Sequence, residues 1–177
     1  MKELLTDRLA LRRFTTDDAD FIFDMYSRWD VQRFIGVKPR VMADRSEANE
    51  RAARYAAFEH PVHGLWAITE KTSGQRFGVL LLKPLPASGA EMPLSPSGEI
   101  EIGWHLHPDA WGHGYASEAA RAVLAHAFVM GLDRISAVTN KDNVASQAVA
   151  QRIGMTHKGT TSDYYNAECE LFSVERK

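Results

Sequence analysis

Apolar positions along the chain follow two periods, two residues in some stretches and three to four in others. Leu9 and Leu11 alternate with polar neighbours and read as a first strand running into Arg12 and Arg13. Thr15-Thr16-Asp17-Asp18 then offers an N-cap and an acidic first turn, after which Phe21, Ile22, Met25, Tyr26 and Trp29 fall at helical spacing. Gly36 and Pro39 break that pattern. A second helix, starting near Asp44 or Ser46, carries Ala48, Ala52, Tyr55, Ala56 and Phe58 and ends around His60-Pro61. Residues 65–69 and 77–82 read as paired strands around a turn at Lys71-Thr72-Ser73-Gly74. Residues 84–98 hold four prolines (Pro84, Pro86, Pro93 and Pro96) and are expected to form a long loop.

The alternation resumes at once. Residues 99–106 predict a fourth strand with Ile100, Ile102, Trp104 and Leu106 on one face and Glu99, Glu101, Gly103 and His105 on the other. Residues 117–130 predict a long helix stopped by Gly131, and Ile135, Ala137 and Val138 a fifth strand. Asn143 caps a helix closed by Gly154, and residues 155–161 and 168–174 make two closing strands. This order predicts one α/β sandwich spanning residues 1–177: a mixed, mostly antiparallel sheet of about seven strands with helices on both faces.

Composition narrows the function classes. A chain of 177 residues, 45% hydrophobic and 25% charged, matches one soluble globular domain. A formal net charge of -2 provides no basic field to draw nucleic acid or anionic lipid, so neither is expected as a partner. No apolar stretch approaches membrane-spanning length, and charges interrupt the first residues where a secretory signal would need an apolar run. A cytoplasmic protein is expected. The single cysteine, Cys169, sits between Glu168 and Glu170, which raise a thiol pKa, so it reads as a buried thiol and not a nucleophile.

The stretch that carries chemistry is Trp111-Gly112-His113-Gly114-Tyr115-Ala116-Ser117-Glu118, directly after a strand and opening a helix. Two glycines one residue apart permit a tight turn with no Cβ in the way of a ligand. The helix start leaves amide groups unpaired and points its positive dipole end at the loop, a place suited to phosphate. Gly-x-Gly also occurs in ordinary strand-to-helix turns. A Rossmann site fits poorly, lacking the third glycine and the βαβ context, and no Gly-Lys-Ser/Thr ending is present for a Walker loop.

Three segments, in order, resemble the GCN5-related N-acetyltransferase superfamily, and most closely its RimJ/RimL-like bacterial branch. They are Thr6-Asp7-Arg8-Leu9-Ala10-Leu11-Arg12 with Asp17-Asp18-Ala19; residues 108–119 around the two glycines; and Asn143-Val144-Ala145-Ser146 with Arg152-Ile153-Gly154-Met155. The resemblance implies an acyl-CoA-dependent N-acetyltransferase whose co-substrate is acetyl-CoA and whose acceptor is a primary amine on a protein N-terminus or a small molecule. It implies that the backbone amides of Gly112, His113, Gly114, Tyr115, Ala116 and Ser117 hold the pyrophosphate, with the Ser117 hydroxyl as an extra donor. Trp104, His105 and Leu106 would pair with the pantetheine arm where the fourth and fifth strands splay into a V, and Asn143 would bond the arm near its reactive end. The tyrosine that many relatives use to protonate the leaving thiolate falls at Ala150, which leaves Ser146 or water. A catalytically idle acyl-CoA sensor is the alternative class that this gap keeps open.

Direct attack in a ternary complex needs a base, and Glu101 is the first candidate with His105 the second. His105 and His107 at strand i, i+2 spacing, with His113 nearby, invite a metal reading, but a zinc site needs a third ligand in place and His113 lies within the phosphate loop, so no metal is expected. Trp29 and Phe34 are expected at the acceptor cleft, bordered by residues 84–98, where Glu91 and Glu99 could attract a cationic amine. Exposed edge strands near the carboxyl end make a homodimer a reasonable expectation.

Overall fold

A computed structural model describes residues 2–176. Its strands are β1 (Leu4–Leu5), β2 (Leu9–Arg13), β3 (Gly64–Glu70), β4 (Arg76–Pro86), β5 (Pro96–Leu106), β6 (Arg134–Thr139), β7 (Thr156–Tyr164) and β8 (Ala167–Glu175). They form one sheet in the order β1-β2-β3-β4-β5-β6-β8-β7. Every neighbouring pair is antiparallel except β5 and β6. The expected mixed, mostly antiparallel sheet is therefore present, with an eighth strand because Leu4 and Leu5 pair with β2.

The helices are α1 (Ala19–Tyr26), α2 (Trp29–Gln32), α3 (Arg45–Ala57), α4 (Tyr115–Val129) and α5 (Val144–Arg152). The sheet buries both faces beneath them. Trp66, Ile68, Leu80 and Leu82 pack with the apolar sides of α4 and α5, while Ala67 and Val79 point the other way into a core with Ile22, Met25, Tyr26, Ala48 and Ala52. A strand buried on both faces needs apolar residues at successive positions, which accounts for the unbroken run Val79-Leu80-Leu81-Leu82.

Asp18 ties the first helix to the sheet. Its carboxylate is fully buried and receives Arg12 Nη1 and Nη2 at 2.9 and 2.8 Å, Arg76 Nε at 2.6 Å and the Thr15 amide at 2.9 Å. Burial alone would raise its pKa; the hydrogen bonds from Arg12, Thr15 and Arg76 overcome that and hold it at about 2. The α3 start is as expected: Asp44 accepts the amides of Ser46 and Glu47.

The proline-rich stretch departs from expectation. Residues 84–98 are not one loop, because β4 continues through Pro86 and β5 begins at Pro96, leaving only 87–95 between them. The ladder shifts register between Pro84 and Pro86, and such irregularities accommodate residues that cannot donate a backbone hydrogen bond. Leu85 packs there with Tyr164 and Cys169 in a third small core, joining this end of the sheet to the β7–β8 hairpin.

β5 and β6 share a single registered pair, Glu101 with Ser136. Beyond it the two parallel strands part, and the expected V opens between the fourth and fifth of the strands read from sequence. The cleft grows from this gap.

Candidate active site

The cleft, about 1320 Å³, runs through the V from one face of the sheet to the other. On the α4–α5 side its centre is a backbone turn. Gly112 and Gly114 both hold φ near +78°, a left-handed turn that a side chain would strain. The turn delivers the free amides at the start of α4 to the cleft, where Gly112, Gly114, Tyr115, Ala116 and Ser117 line the wall. The side chain of His113 does not line it. Its ring lies outside, stacked on Tyr115 at 5.5 Å, which leaves His113 the backbone role expected of residues 112–117.

That role involves the opening segment of the chain. Arg8 Nη1 donates to the His113 carbonyl at 3.1 Å, and its guanidinium lies 4.7 Å from the Tyr115 ring centroid. Glu118 accepts from Thr6 Oγ1 at 2.6 Å, the Arg8 amide at 3.0 Å and Arg8 Nε at 2.7 Å. Burial would raise the Glu118 carboxyl, but these bonds lower it below its ordinary value. Thr6 and Arg8 thus latch the glycine turn from more than a hundred residues away, a role the sequence reading did not assign.

Across the gap, Asn143 caps α5 by accepting the Ser146 amide at 3.2 Å, and both residues line the cleft. Ala150 lies in the main core and does not line the cleft, so the position that resemblance gives to tyrosine points elsewhere in this chain. Thr139 also lines the wall, with a buried hydroxyl that has no partner among the described residues.

On the α1–α3 side the cleft is built of side chains. Trp104 and Leu106 pack toward α4, while the alternation of β5 sends Glu101, Gly103 and His105 the other way, as expected. Glu101 is buried, not solvated. It pairs with Lys83 Nζ at 2.6 Å and accepts a close hydrogen bond from the Tyr165 hydroxyl, to which Lys83 also donates at 2.7 Å. Burial, followed by the charge of Glu101, pushes the Tyr165 hydroxyl upward, so it keeps its proton. Tyr165 stands in the tight β7–β8 turn, where Tyr165 and Asn166 adopt positive φ of 58° and 53°. Sequence reasoning missed it: Tyr165-Asn166 lacks the glycine that marks most two-residue turns, and its partner Glu101 lies 64 residues away.

His105 Nδ1 lies 2.8 Å from the Tyr26 hydroxyl. Burial first, then the positive charges of Arg51 and Lys83, bring its pKa down to about 4, so the imidazole is neutral at neutral pH. Cys169 lines the same end as a buried thiol pushed up to about 11, by burial and then by Glu170, Asp163 and Glu101.

Three expectations for this end are corrected. Phe34 lines the cleft, but Trp29 does not: α2 buries Val31 and Gln32, and Trp29, roughly 200° around the helix from Val31, faces solvent at 55% exposure. Residues 84–98 do not border the cleft; the β7–β8 turn does. Glu91 is solvent-exposed, and Glu99 is spent on Ser136 Oγ at 2.5 Å and Arg134 at 3.6 Å. No group of three or more His, Cys, Asp or Glu is arranged to hold a metal among the described residues. No helix among them is long and apolar enough to cross a membrane.

Comparison with known proteins matches this geometry to one family. The family described as "Acetyltransferase (GNAT) domain" matches residues 8–156. A Bacillus subtilis protein described as an uncharacterised N-acetyltransferase, YoaA, is 30% identical over 163 residues, 91% of this chain and 86% of its own. Among solved structures, a GNAT-family acetyltransferase from Bacillus anthracis superposes with a TM-score of 0.77 at 21% identity, covering 98% of each chain. RimL, a ribosomal L7/L12 α-N-protein acetyltransferase solved with coenzyme A, superposes with a TM-score of 0.75 at 18% identity, also over 98% of each.

Proposed function

The chain belongs to the GNAT acetyltransferases and is an acyl-CoA-dependent enzyme, and from that premise we propose that it moves the acetyl group of acetyl-CoA directly to a primary amine, within one domain spanning residues 1–177. The observation that carries this reading is the V between β5 and β6, with a glycine turn and helix start on one side and, on the other, the buried Glu101 carboxylate and the His105 imidazole on the same face of β5. The free amides of Gly112 to Ser117 are suited to a pyrophosphate, and Arg121 and Arg152 line the same wall. The unpaired edge of β5 from Gly103 to Leu106 offers backbone groups to the amide-bearing pantetheine arm. Asn143, its Oδ1 engaged in the cap, keeps its amide N–H groups for the arm.

The amine enters from the α1–α3 face. Its nitrogen attacks the thioester carbonyl, the C–N bond forms, and the oxyanion rests on backbone N–H groups of β5. Glu101 receives the proton lost by nitrogen, and Tyr165 and Lys83 fix the carboxylate in place. His105, neutral, is a second acceptor on the same face. When the C–S bond breaks, the sulfur leaves as thiolate and takes a proton from water or from the Ser146 hydroxyl. No covalent enzyme intermediate is required. The RimJ/RimL-like branch, suggested by the opening and glycine-turn motifs, is part of this proposal, as is a cytoplasmic location.

Thermal unfolding with acetyl-CoA, CoA, NAD and ATP tests the cofactor end. At a hundred times its dissociation constant a ligand of the folded state adds about 2.7 kcal/mol of stability. The expected result is a shift with acetyl-CoA and CoA only, lost in Gly114→Asp, whose unliganded melt shows whether it folds. No shift with either thioester or thiol sinks the proposal.

A further inference from the structure

We propose that the acceptor amine carries an anionic oxygen group, carboxylate or phosphate, in the same molecule, and that Arg51, Arg54 and Arg33 receive it. The inference rests on the acetyltransferase reading and names the class of its second substrate.

The basic residues around this end of the molecule divide into two sets. Arg28, Arg40 and Arg45, on or beside the same helices, are each paired with a carboxylate: Asp24, Glu47 and Asp20. Arg33, Arg51 and Arg54 line the cleft and have no carboxylate partner among the described residues. Each lies over an aromatic ring instead, Arg51 at 4.4 Å from the Tyr26 centroid, Arg33 at 4.7 Å from Phe34 and Arg54 at 5.9 Å from Tyr55. A ring holds the face of a guanidinium and leaves N–H groups for the two-pronged contact that carboxylate or phosphate makes, although Arg51 also donates toward the Tyr26 hydroxyl.

Their position connects them to the chemistry. Tyr26, under Arg51, is the residue whose hydroxyl meets His105, and the charge of Arg51 is felt at the His105 ring. The carboxylates lining this end are few. Glu101 is committed to Lys83, Glu168 lies 3.6 Å from Lys141, and Asp30 is exposed. An acceptor with several positive charges, such as a polyamine, would meet unfavourable charge on entry. An amine tethered to an anion would be held by it. The same guanidiniums disfavour the ammonium form of the nitrogen and so favour the neutral nucleophile that attack requires.

Calorimetric titration of the CoA-loaded protein with acetylated products tests this without depending on turnover. The probes are N-acetylglycine, N-acetylphenylalanine and N-acetyl-phosphoethanolamine, each beside a neutral counterpart: the two amides and N-acetylethanolamine. The expected result is that at least one anionic probe binds about ten-fold or more tightly than its counterpart. The carboxylate and phosphate arms tell which group is preferred. Arg51→Gln and Arg54→Gln should each reduce that ratio, Arg51→Lys should restore part of it, and all should keep the CoA melting shift. In Arg51→Gln the His105 titration, followed by NMR, should also move upward while in Arg51→Lys it stays low; loosened packing would raise it in both. Equal binding of neutral and anionic probes, absence of binding by every anionic probe, or a ratio unchanged in both arginine variants overturns the proposal. Failure of CoA to shift the melt counts against the acetyltransferase reading instead, since the probe ratio is also measured on the unloaded protein.

Discussion

The two ends of the cleft are made of different materials. Toward α4 and α5 the wall centres on main chain: a glycine turn, the first amides of a helix and one edge of a strand. Toward α1–α3 it is side chains drawn from separate elements: Phe34 from the chain after α2, Arg51 and Arg54 from α3, Lys83 from β4, Glu101 and His105 from β5, and Tyr165 from the last hairpin. A main-chain site depends on backbone conformation over a few consecutive residues and tolerates many side chains. A side-chain site depends on tertiary placement and can change with single substitutions. The first suits a co-substrate shared by a family, the second an acceptor particular to one member.

Substitutions that spare one end and damage the other test that division. The largest effect is expected from Glu101→Gln, which should lower kcat/KM by about a hundred- to ten-thousand-fold while leaving the acetyl-CoA melting shift intact. Thiol release measured beside thermal unfolding decides it; loss of both would mean that the two ends are not separable.

Asp18→Asn comes next. It leaves Arg12 and Arg76 without their buried partner and should cost about 3 kcal/mol in urea unfolding. Because the folded carboxyl is held at about 2 against an ordinary 3.8, its contribution is complete above pH 4. It should fade as pH falls from about 4 to about 2, and the variant should lack that slope.

His105 should leave a smaller mark at milder pH. Its folded pKa of about 4 lies below the ordinary 6.5, so the unfolded chain takes up the proton first as pH falls. Stability should therefore decline between about pH 6.5 and 4, and His105→Gln should flatten that stretch of the curve. A His105 ring that titrates near 6.5 by NMR would contradict the burial described here. The smallest effect is reserved for Arg8→Ala. It frees the His113 carbonyl and one face of Tyr115, and should weaken acetyl-CoA a few-fold, about 0.5–1 kcal/mol, since the pair with Glu118 is half exposed. Glu101-dependent turnover at saturating acetyl-CoA should not change.

The same division explains what could be read from the sequence. The alternation of residues 99–106, the glycine turn and the Asn143 cap are local patterns, and each appears in the structure where the pattern put it. Pro84 and Pro86 misled because proline argues against a strand, and a register shift that accommodates it has no local signature. Trp29 misled because its helix lasts only one turn, too short for periodicity to say which side is buried. Tyr165 and the Thr6–Arg8–Glu118 latch were invisible for another reason. Each joins residues far apart in the chain, and nothing along the sequence marks which distant partner a tyrosine or arginine will meet.

The V between β5 and β6 also has a bearing on how this sheet avoids unwanted company. The outer strands make poor templates for another chain: β1 is two residues long, and β7 is bent where Gly159 takes φ +100° and the register slips. The backbone edge of β5 beyond Glu101, by contrast, is open, but it lies indoors, bounded by β6 and by residues of α4 and α5. There it is covered by neighbouring elements and not turned outward like the edge of an open sheet. Enclosure lets the protein carry an unpaired strand edge without presenting it to another chain.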